Sequence, residues 1–318
     1  MTDFLDRIDS EVRAVLPSLP ELDISDIPSA RIRRRELAAQ ARSRIAPDPS
    51  VVTVDRFVDA TLRVRHYRPV DQARPLPGLL WLHGGGHVLG EVEQDDPLLE
   101  HVVSTVGCAA VSVDWRRAPE HPFPAAIEDG YAALQWTVAN AEIIGVDPSR
   151  VAIGGASSGG GLAAGLGLLT RDRGEVAVSF QLLIYPMLDD RNETPSSHLV
   201  HLPQLWNRTS NLLAWRAYLD GHPAEVSAYA APARARNLIG VPATFIATGS
   251  LDGFVDEDID YAQRLGQAGV SVELHVYPGA IHGFDLFAPA SAVARHLVRD
   301  RDAALRRALF PSAPDERS

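Results

Sequence analysis

A glycine- and serine-rich stretch at residues 154–161 constrains this chain most, because its residue types require a tight turn. The stretch reads GGASSGGG; it follows the apolar residues Val151–Ile153 and precedes the small-residue run Leu162–Leu166. This order predicts a strand, a sharp turn and a helix. Within it, Gly-x-Ser157-x-Gly fits a nucleophile elbow, in which glycine flanks let a serine occupy a strained turn. A glycine-rich junction without chemistry is the alternative interpretation.

Strand and helix patterns alternate along most of the chain. Apolar segments predict a strand pair followed by six further strands, at 51–58, 61–67, 78–82, 109–114, 151–155, 178–185, 243–248 and 272–277. The segments between most of the later strands are helical in pattern, which indicates a mostly parallel α/β sheet with right-handed crossovers. In such a sheet, functional sites form at the carboxyl ends of strands.

Composition excludes several classes of function. The 318 residues carry a formal charge of −11, and all 30 basic residues are arginine. This balance argues against nucleic acid or an anionic membrane as the main partner. A single cysteine, Cys108, excludes an intrachain disulfide, and its apolar surroundings predict a buried inert thiol. The charged N-terminus and the lack of an apolar run of about 18 residues predict a soluble, cytoplasmic protein.

The run His83-Gly84-Gly85-Gly86 directly follows a predicted buried strand. Consecutive glycines allow backbone N–H groups to point into a cleft without obstruction by side chains. We therefore predict an oxyanion hole formed by the N–H groups of Gly84, Gly85 and Ser158. A flexible glycine turn without a function is the alternative.

A serine nucleophile needs a histidine base oriented by a carboxylate, and in this fold the chain order is Ser, Asp or Glu, then His. His282 lies in a loop just after the last predicted strand, and Asp252 lies in the loop after the preceding strand. We assign these two residues to a triad with Ser157, with Asp256 as the less favoured acid. Structural roles are predicted for several other histidines, and no metal site is expected among His83, His87, His121, His198, His201 and His275.

The chain is similar to the hormone-sensitive-lipase-like branch of the α/β-hydrolases over roughly residues 45 to 310. The similarity rests on the stretches 83–86, 114–126, 155–160 and 185–186, on Asp252 and on 282–284. It implies an eight-stranded sheet, no cofactor, and a helical cap built from residues 1–45 and 187–225 over a core of residues 46–186 and 226–318. It also implies that a homodimer forms through the last strand, Val272–Tyr277.

Three residues depart from the usual pattern of this branch. Ala156 stands before the nucleophile, where Asp, Glu or Thr is common, and Ser158 stands after it, where Ala is common. Arg117 stands where an aliphatic residue is usual.

These residues predict a serine carboxylesterase that acts on a small-molecule ester through an acyl-enzyme intermediate. The resemblance implies short acyl chains of about four to six carbons, and residues 208–211 in the cap insertion are polar. An amidase, a deacetylase or a lactonase with the same triad is an alternative, since the acyl-enzyme chemistry is shared. A non-catalytic ligand receptor is the alternative from a different class.

Overall fold

A computed structural model describes residues 4–72, 74–221 and 224–311. Within these residues an eight-stranded sheet has the strand order β1-β2-β4-β3-β5-β6-β7-β8. Its strands are β1 Val51–Phe57, β2 Arg63–Pro69, β3 Leu76–Leu82, β4 Ala109–Val113, β5 Val146–Ala156, β6 Phe180–Ile184, β7 Ala243–Gly249 and β8 Val272–Tyr277. Strand β2 runs antiparallel to β1 and β4, and the remaining pairs are parallel. The predicted α/β-hydrolase sheet is confirmed.

Helices cover both faces of the sheet. In the described residues they are α1 Phe4–Arg7, α2 Ser10–Val15, α3 Ile27–Arg42, α4 Asp96–Val106, α5 Ala125–Ala139, α6 Ala141–Ile144, α7 Ser158–Arg173, α8 Arg208–Tyr218, α9 Val255–Gln267, α10 Phe284–Phe287 and α11 Ala292–Leu309. Helix α3 begins at Ile27, directly after Asp26, whose side chain accepts a hydrogen bond from Ser29 N. Such an N-cap favours helix initiation at this point.

Helix α7 begins at Ser158, four residues earlier than the apolar pattern predicts. Its first turn contains three glycines, which are poor helix formers in isolation. Here the helix lies very close to its neighbours: a Cβ atom at Gly159 would lie 2.0 Å from the Leu82 carbonyl oxygen, and one at Gly161 would lie 2.1 Å from the Met187 carbonyl oxygen. Close backbone packing therefore compensates for weak local propensity.

Strand β3 is buried on both faces, as its continuous apolar sequence predicts. Leu80 and Leu82 belong to the hydrophobic cluster on one face of the sheet, and Leu79 and Trp81 belong to the cluster on the other. All four side chains are at most 1% exposed. Burial of each of the three leucines contributes on the order of 1.5–3 kcal/mol, which holds β3 firmly beneath the loop that follows it.

The N-terminal segment and the insertion after β6 meet at the carboxyl edge of the sheet. Leu22 N donates to the Pro203 carbonyl at 2.8 Å, which joins the two segments. Arg31 donates to the carbonyls of Val88 and Ala118 at 2.7 Å, and these residues lie in the loops after β3 and β4. None of the helices in the described ranges combines the length and apolarity that crossing a bilayer requires.

Candidate active site

Three side chains from separate loops meet at the carboxyl edge of the sheet. Ser157 Oγ lies 2.9 Å from His282 Nε2, and His282 Nδ1 lies 2.7 Å from Asp252 Oδ2. Since a carboxylate only accepts hydrogen bonds, Nδ1 carries the proton and Nε2 is left to accept from the serine hydroxyl. Asp252 is 1% exposed, so its interaction with the imidazole is well shielded from water. The structure thus brings together the three residues that the sequence analysis assigned to one triad.

Ser157 occupies the sharp turn between β5 and α7, with φ of 56° and ψ of −123°. This positive φ is strained for a residue with a side chain. A Cβ atom at Gly155 would lie 2.3 Å from the Gly159 carbonyl oxygen, so the flanks accept only glycine. Backbone hydrogen bonds hold the turn, from Ser157 N to the Ile184 carbonyl and from Met187 N to the Ser157 carbonyl, at 2.9 and 3.0 Å.

The His282 ring is fixed by its neighbours as well as by Asp252. The rings of Tyr185 and Phe254 pack edge-on against it, with centroids 4.7 and 5.0 Å away. Phe254 N donates to Asp252 Oδ1 at 3.0 Å. The carboxylate is therefore fixed through Oδ1, while Oδ2 accepts from His282. The alternative acid, Asp256, accepts a hydrogen bond from a backbone N–H of the insertion instead.

Gly84, one of the predicted oxyanion-hole glycines, lies directly beside the serine. A Cβ atom at Gly84 would lie 3.3 Å from Ser157 Cβ. The Gly84 carbonyl accepts a hydrogen bond from Gln94 Nε2 at 3.2 Å and lies 2.9 Å from His83 Nδ1. In a trans peptide the next N–H points the opposite way, so the Gly85 N–H is directed away from Gln94.

Ser158 supplies the third predicted donor at the first position of α7. The first N–H groups of a helix have no intrahelical acceptor, so this N–H is free to bind a ligand atom. Gln94, which orients the Gly84–Gly85 peptide, was missed by the sequence analysis, because no local pattern distinguishes it from a solvent-exposed glutamine.

Two carboxyl groups with raised pKa values, Asp285 and Asp95, were also missed. Asp285 accepts a hydrogen bond from the Tyr185 hydroxyl at 2.9 Å. Burial raises the pKa of the Asp285 carboxyl group and that of the Tyr185 hydroxyl. Asp95 accepts from Trp81 Nε1 at 2.7 Å, and burial raises its pKa to about 6. Asp285 lies in the one-turn helix α10, and Asp95 directly precedes α4. Neither position has a periodic signal, so only the tertiary packing around these short elements takes the carboxyl groups from water.

His83 and His87 act as neutral aromatic packing residues. His83 stacks on Trp115 with ring centroids 4.6 Å apart, and His87 stacks on Tyr218 at 3.8 Å. Burial lowers the pKa of His83 to about 4 and that of His87 to about 3.

Among the residues that the structure describes, no group of three His, Cys, Asp or Glu side chains is placed to hold a metal ion. Cys108 is buried, and this raises the pKa of its thiol to about 12.

We expect His87→Phe to reduce the loss of stability in mild acid. The pKa of His87 is about 3 in the folded protein and about 6.5 when unfolded. The unfolded state therefore binds the extra proton, and the stability present above pH 6.5 is lost as the pH falls. Between pH 7 and 5 this residue accounts for a loss of about 2 kcal/mol in the free energy of unfolding. Urea unfolding of the wild type and the variant at both pH values measures the difference. The exposed His121→Gln is the control, and an unchanged pH dependence in His87→Phe would contradict the assignment.

Comparison with known proteins agrees with this geometry. A family model described as alpha/beta hydrolase fold matches residues 79–286. The chain belongs to the hormone-sensitive-lipase-like branch of the α/β-hydrolase family. Carboxylesterase NlhH of Mycobacterium tuberculosis is 35% identical over 95% of this α/β-hydrolase and 96% of its own length. Esterase LipI of the same organism is 35% identical over 87% and 88% of the two chains.

Solved structures are similar to this α/β-hydrolase over nearly the whole chain. A structure titled bacterial heroin esterase superposes with a TM-score of 0.92 at 42% identity and covers 96% of this chain and 99% of its own. Esterase LipW from Mycobacterium marinum superposes with a TM-score of 0.86 at 38% identity, with coverage of 96% and 98%. The similarity therefore includes the N-terminal helices and the insertion as well as the sheet.

Proposed function

We propose that this α/β-hydrolase is a serine carboxylesterase. The observation that carries the proposal is the hydrogen-bonded series from Ser157 through His282 to Asp252. Ser157 attacks the ester carbonyl while His282 takes its proton, and His282 then delivers that proton to the leaving alcohol. Asp252 holds the imidazole in the productive tautomer and stabilises its charged form. Water then attacks the acyl-enzyme, with His282 again acting as the base.

The oxyanion of each tetrahedral intermediate is bound by the N–H groups of Gly84, Gly85 and Ser158. Backbone donors held in place before the reaction stabilise this charge without reorganisation, and losing one typically costs roughly 10²–10³ in rate. Gln94 holds the Gly84 carbonyl and thereby orients the Gly85 donor. The relatives named above are esterases, which favours esters over amides or lactones, and parallel assays on all three substrate types separate these activities.

We also propose that the described parts of residues 1–45 and 187–225 form a cap over those of the core segments 46–186 and 226–318. The cap contributes Trp206, whose indole ring lies against the glycine loop: a Cβ atom at Gly86 would lie 2.0 Å from it. Trp206 Nε1 donates to Asn211 Oδ1 at 3.0 Å, and Asn211 in turn donates to Asn192 Oδ1. A cavity of only about 10 Å³ remains between this polar group and Phe254, which is no more than a single water molecule needs. Such limited space favours short acyl chains.

We expect ester hydrolysis to be most efficient for acyl chains of about four to six carbons and to decline for longer ones. In Trp206→Ala the indole no longer fills the space above Gly86, so a longer acyl chain can be buried there. Because burying each CH₂ contributes about 0.8 kcal/mol, we expect the optimum chain length to increase by roughly two or more carbons. A p-nitrophenyl ester series from acetate to decanoate measures the shift. Leu213→Ala, on an exposed position of α8, is the matched control. A wild-type optimum at decanoate would contradict this size limit.

We also propose that two copies of the protein form a homodimer by pairing their β8 strands. Strand β8 lies at one edge of the sheet, next to β7 alone. An exposed edge presents unpaired backbone groups that a second copy of the strand satisfies. Sedimentation velocity distinguishes the dimer from a monomer.

A further inference from the structure

A second cavity, of about 130 Å³, lies between helix α3 and the segment of residues 90–94 that follows β3. Its volume is several times what one water molecule needs. Its charged and polar lining comes from cap helix α3 and from the loops after β3 and β4, and consists of Arg31, Arg34, Arg35, Glu91, Gln94 and Arg117. Four guanidinium groups and one carboxylate give the lining a positive charge, although the whole chain carries −11.

Two of these arginines are neutralised by carboxylates. Arg31 forms a bidentate pair with Glu120, with both N···O distances at 2.8 Å, and its remaining N–H groups donate to two backbone carbonyls. Arg35 donates to Glu91 at 3.0 Å. These side chains are therefore structural ties between α3 and the loop after β3.

Arg34 is different. In the described part of the chain it donates no hydrogen bond and forms no ion pair, whereas Arg117 donates to the Gly90 carbonyl and lies 3.7 Å from Asp114. Arg34 is partly buried, and burial lowers its pKa, an effect that Asp95 and Tyr185 oppose. Arg34 lines the cavity and has no acceptor in the described part of the chain, and an anionic group bound in the cavity would supply one.

The cavity is connected to the reaction site by direct contacts. Gln94, in its wall, hydrogen-bonds the Gly84 carbonyl, and Gly84 lies against Ser157. Arg34 also lies near Tyr185, whose ring contacts His282. The cavity wall and the reaction site therefore share Gln94 as a neighbour, which places the cavity next to the residues around Ser157.

We propose that Arg34 is the centre of an anion subsite that selects esters bearing a free carboxylate on their acyl or alcohol part. This inference rests on the proposed esterase function. A planar guanidinium matches a carboxylate with two parallel hydrogen bonds. The negative charge of the remaining surface repels such substrates, so the local positive potential directs the carboxylate to this cavity.

The test compares two pairs of esters that differ in one negative charge. The first pair is monoethyl adipate and ethyl hexanoate, with the charge on the acyl side. The second is para-butyryloxybenzoate and its methyl ester, with the charge on the alcohol side. We expect Arg34→Gln to lower kcat/KM for the charged member of at least one pair by roughly tenfold or more, as loss of a charge-assisted hydrogen bond would. The neutral member stays within about twofold, and this also shows that the variant is folded.

The control is Arg33→Gln, at the position of α3 that directly precedes Arg34. Arg33 is exposed and donates to the Asp23 carbonyl, and its substitution removes the same charge. It should leave both charged-to-neutral ratios unchanged. If Arg34→Gln does not fold, Arg34→Lys serves instead, because lysine keeps the charge but lacks the two parallel N–H donors of the guanidinium. We expect it to lower kcat/KM for the charged ester selectively. Equal ratios in the wild type and the Arg34 variants for both pairs would overturn the subsite while leaving the esterase intact. Absence of turnover of all four esters by the wild type would overturn the esterase function itself.

Discussion

Replacing Ser157 with alanine removes hydrolysis of p-nitrophenyl butyrate, with an expected loss of about 10⁶-fold in kcat. The attacking oxygen is lost, and His282 is left without the proton that it takes in the first step. Only the oxyanion donors and substrate binding remain, and these give a small residual rate. Alanine removes one hydroxyl from a turn held by backbone hydrogen bonds, so circular dichroism and the unfolding transition should match those of the wild type.

The adjacent serine provides a matched control. Ser158 is buried, and in the described residues its hydroxyl has no hydrogen-bond partner. Only its backbone N–H enters the proposed mechanism, and alanine retains it, so Ser158→Ala should keep near wild-type activity. A fluorophosphonate probe should label the wild type and Ser158→Ala but not Ser157→Ala. Turnover by Ser157→Ala close to that of the wild type would refute the nucleophile, and an unlabelled wild type would favour a non-catalytic receptor.

Replacing Asp252 with asparagine is expected to lower kcat by about 10⁴-fold while leaving the fold intact. Asparagine has nearly the shape of aspartate, but its amide offers a donor as well as an acceptor. With the amide donor toward His282, Nδ1 accepts and Nε2 carries the proton, so the ring no longer accepts from Ser157. The amide also lacks the negative charge that stabilises the imidazolium.

Asp256→Asn is the comparison that separates the two candidate acids. Asp256 Oδ2 accepts from Ser196 N at 2.7 Å, and the asparagine carbonyl oxygen still accepts this bond. Steady-state kinetics of the two variants on the same ester should therefore differ by several orders of magnitude. Comparable losses in both variants would mean that Asp252 acts through structure rather than through His282.

Arg117 and Ser158, which depart from the usual pattern of the family, have clear surroundings in the structure. Arg117 donates to the Gly90 carbonyl and so braces the loop after β3. The Ser158 side chain is buried, and its hydroxyl has no hydrogen-bond partner in the part of the chain that the structure describes. The structure gives no physical reason for a hydroxyl at this position.

The sequence by itself determined the elements of this protein whose cause is local. Alternating strand and helix patterns predicted the sheet, because side-chain periodicity follows directly from backbone geometry. The glycines around Ser157 predicted the strained turn, because a side chain at either flank collides with backbone atoms. The positions of Asp252 and His282, each in a loop after a strand, placed them on the same edge, because parallel strands end together.

Only the tertiary structure decided which loop residues meet across that edge. Gln94 reaches the Gly84 carbonyl, Arg34 is left without an acceptor in the described residues, and Asp95 becomes buried. Each outcome depends on the path of an irregular segment and on what packs over it. No spacing in the sequence encodes such contacts, because loops have no repeating geometry and because the cost of burying a charge depends on atoms contributed by remote parts of the chain.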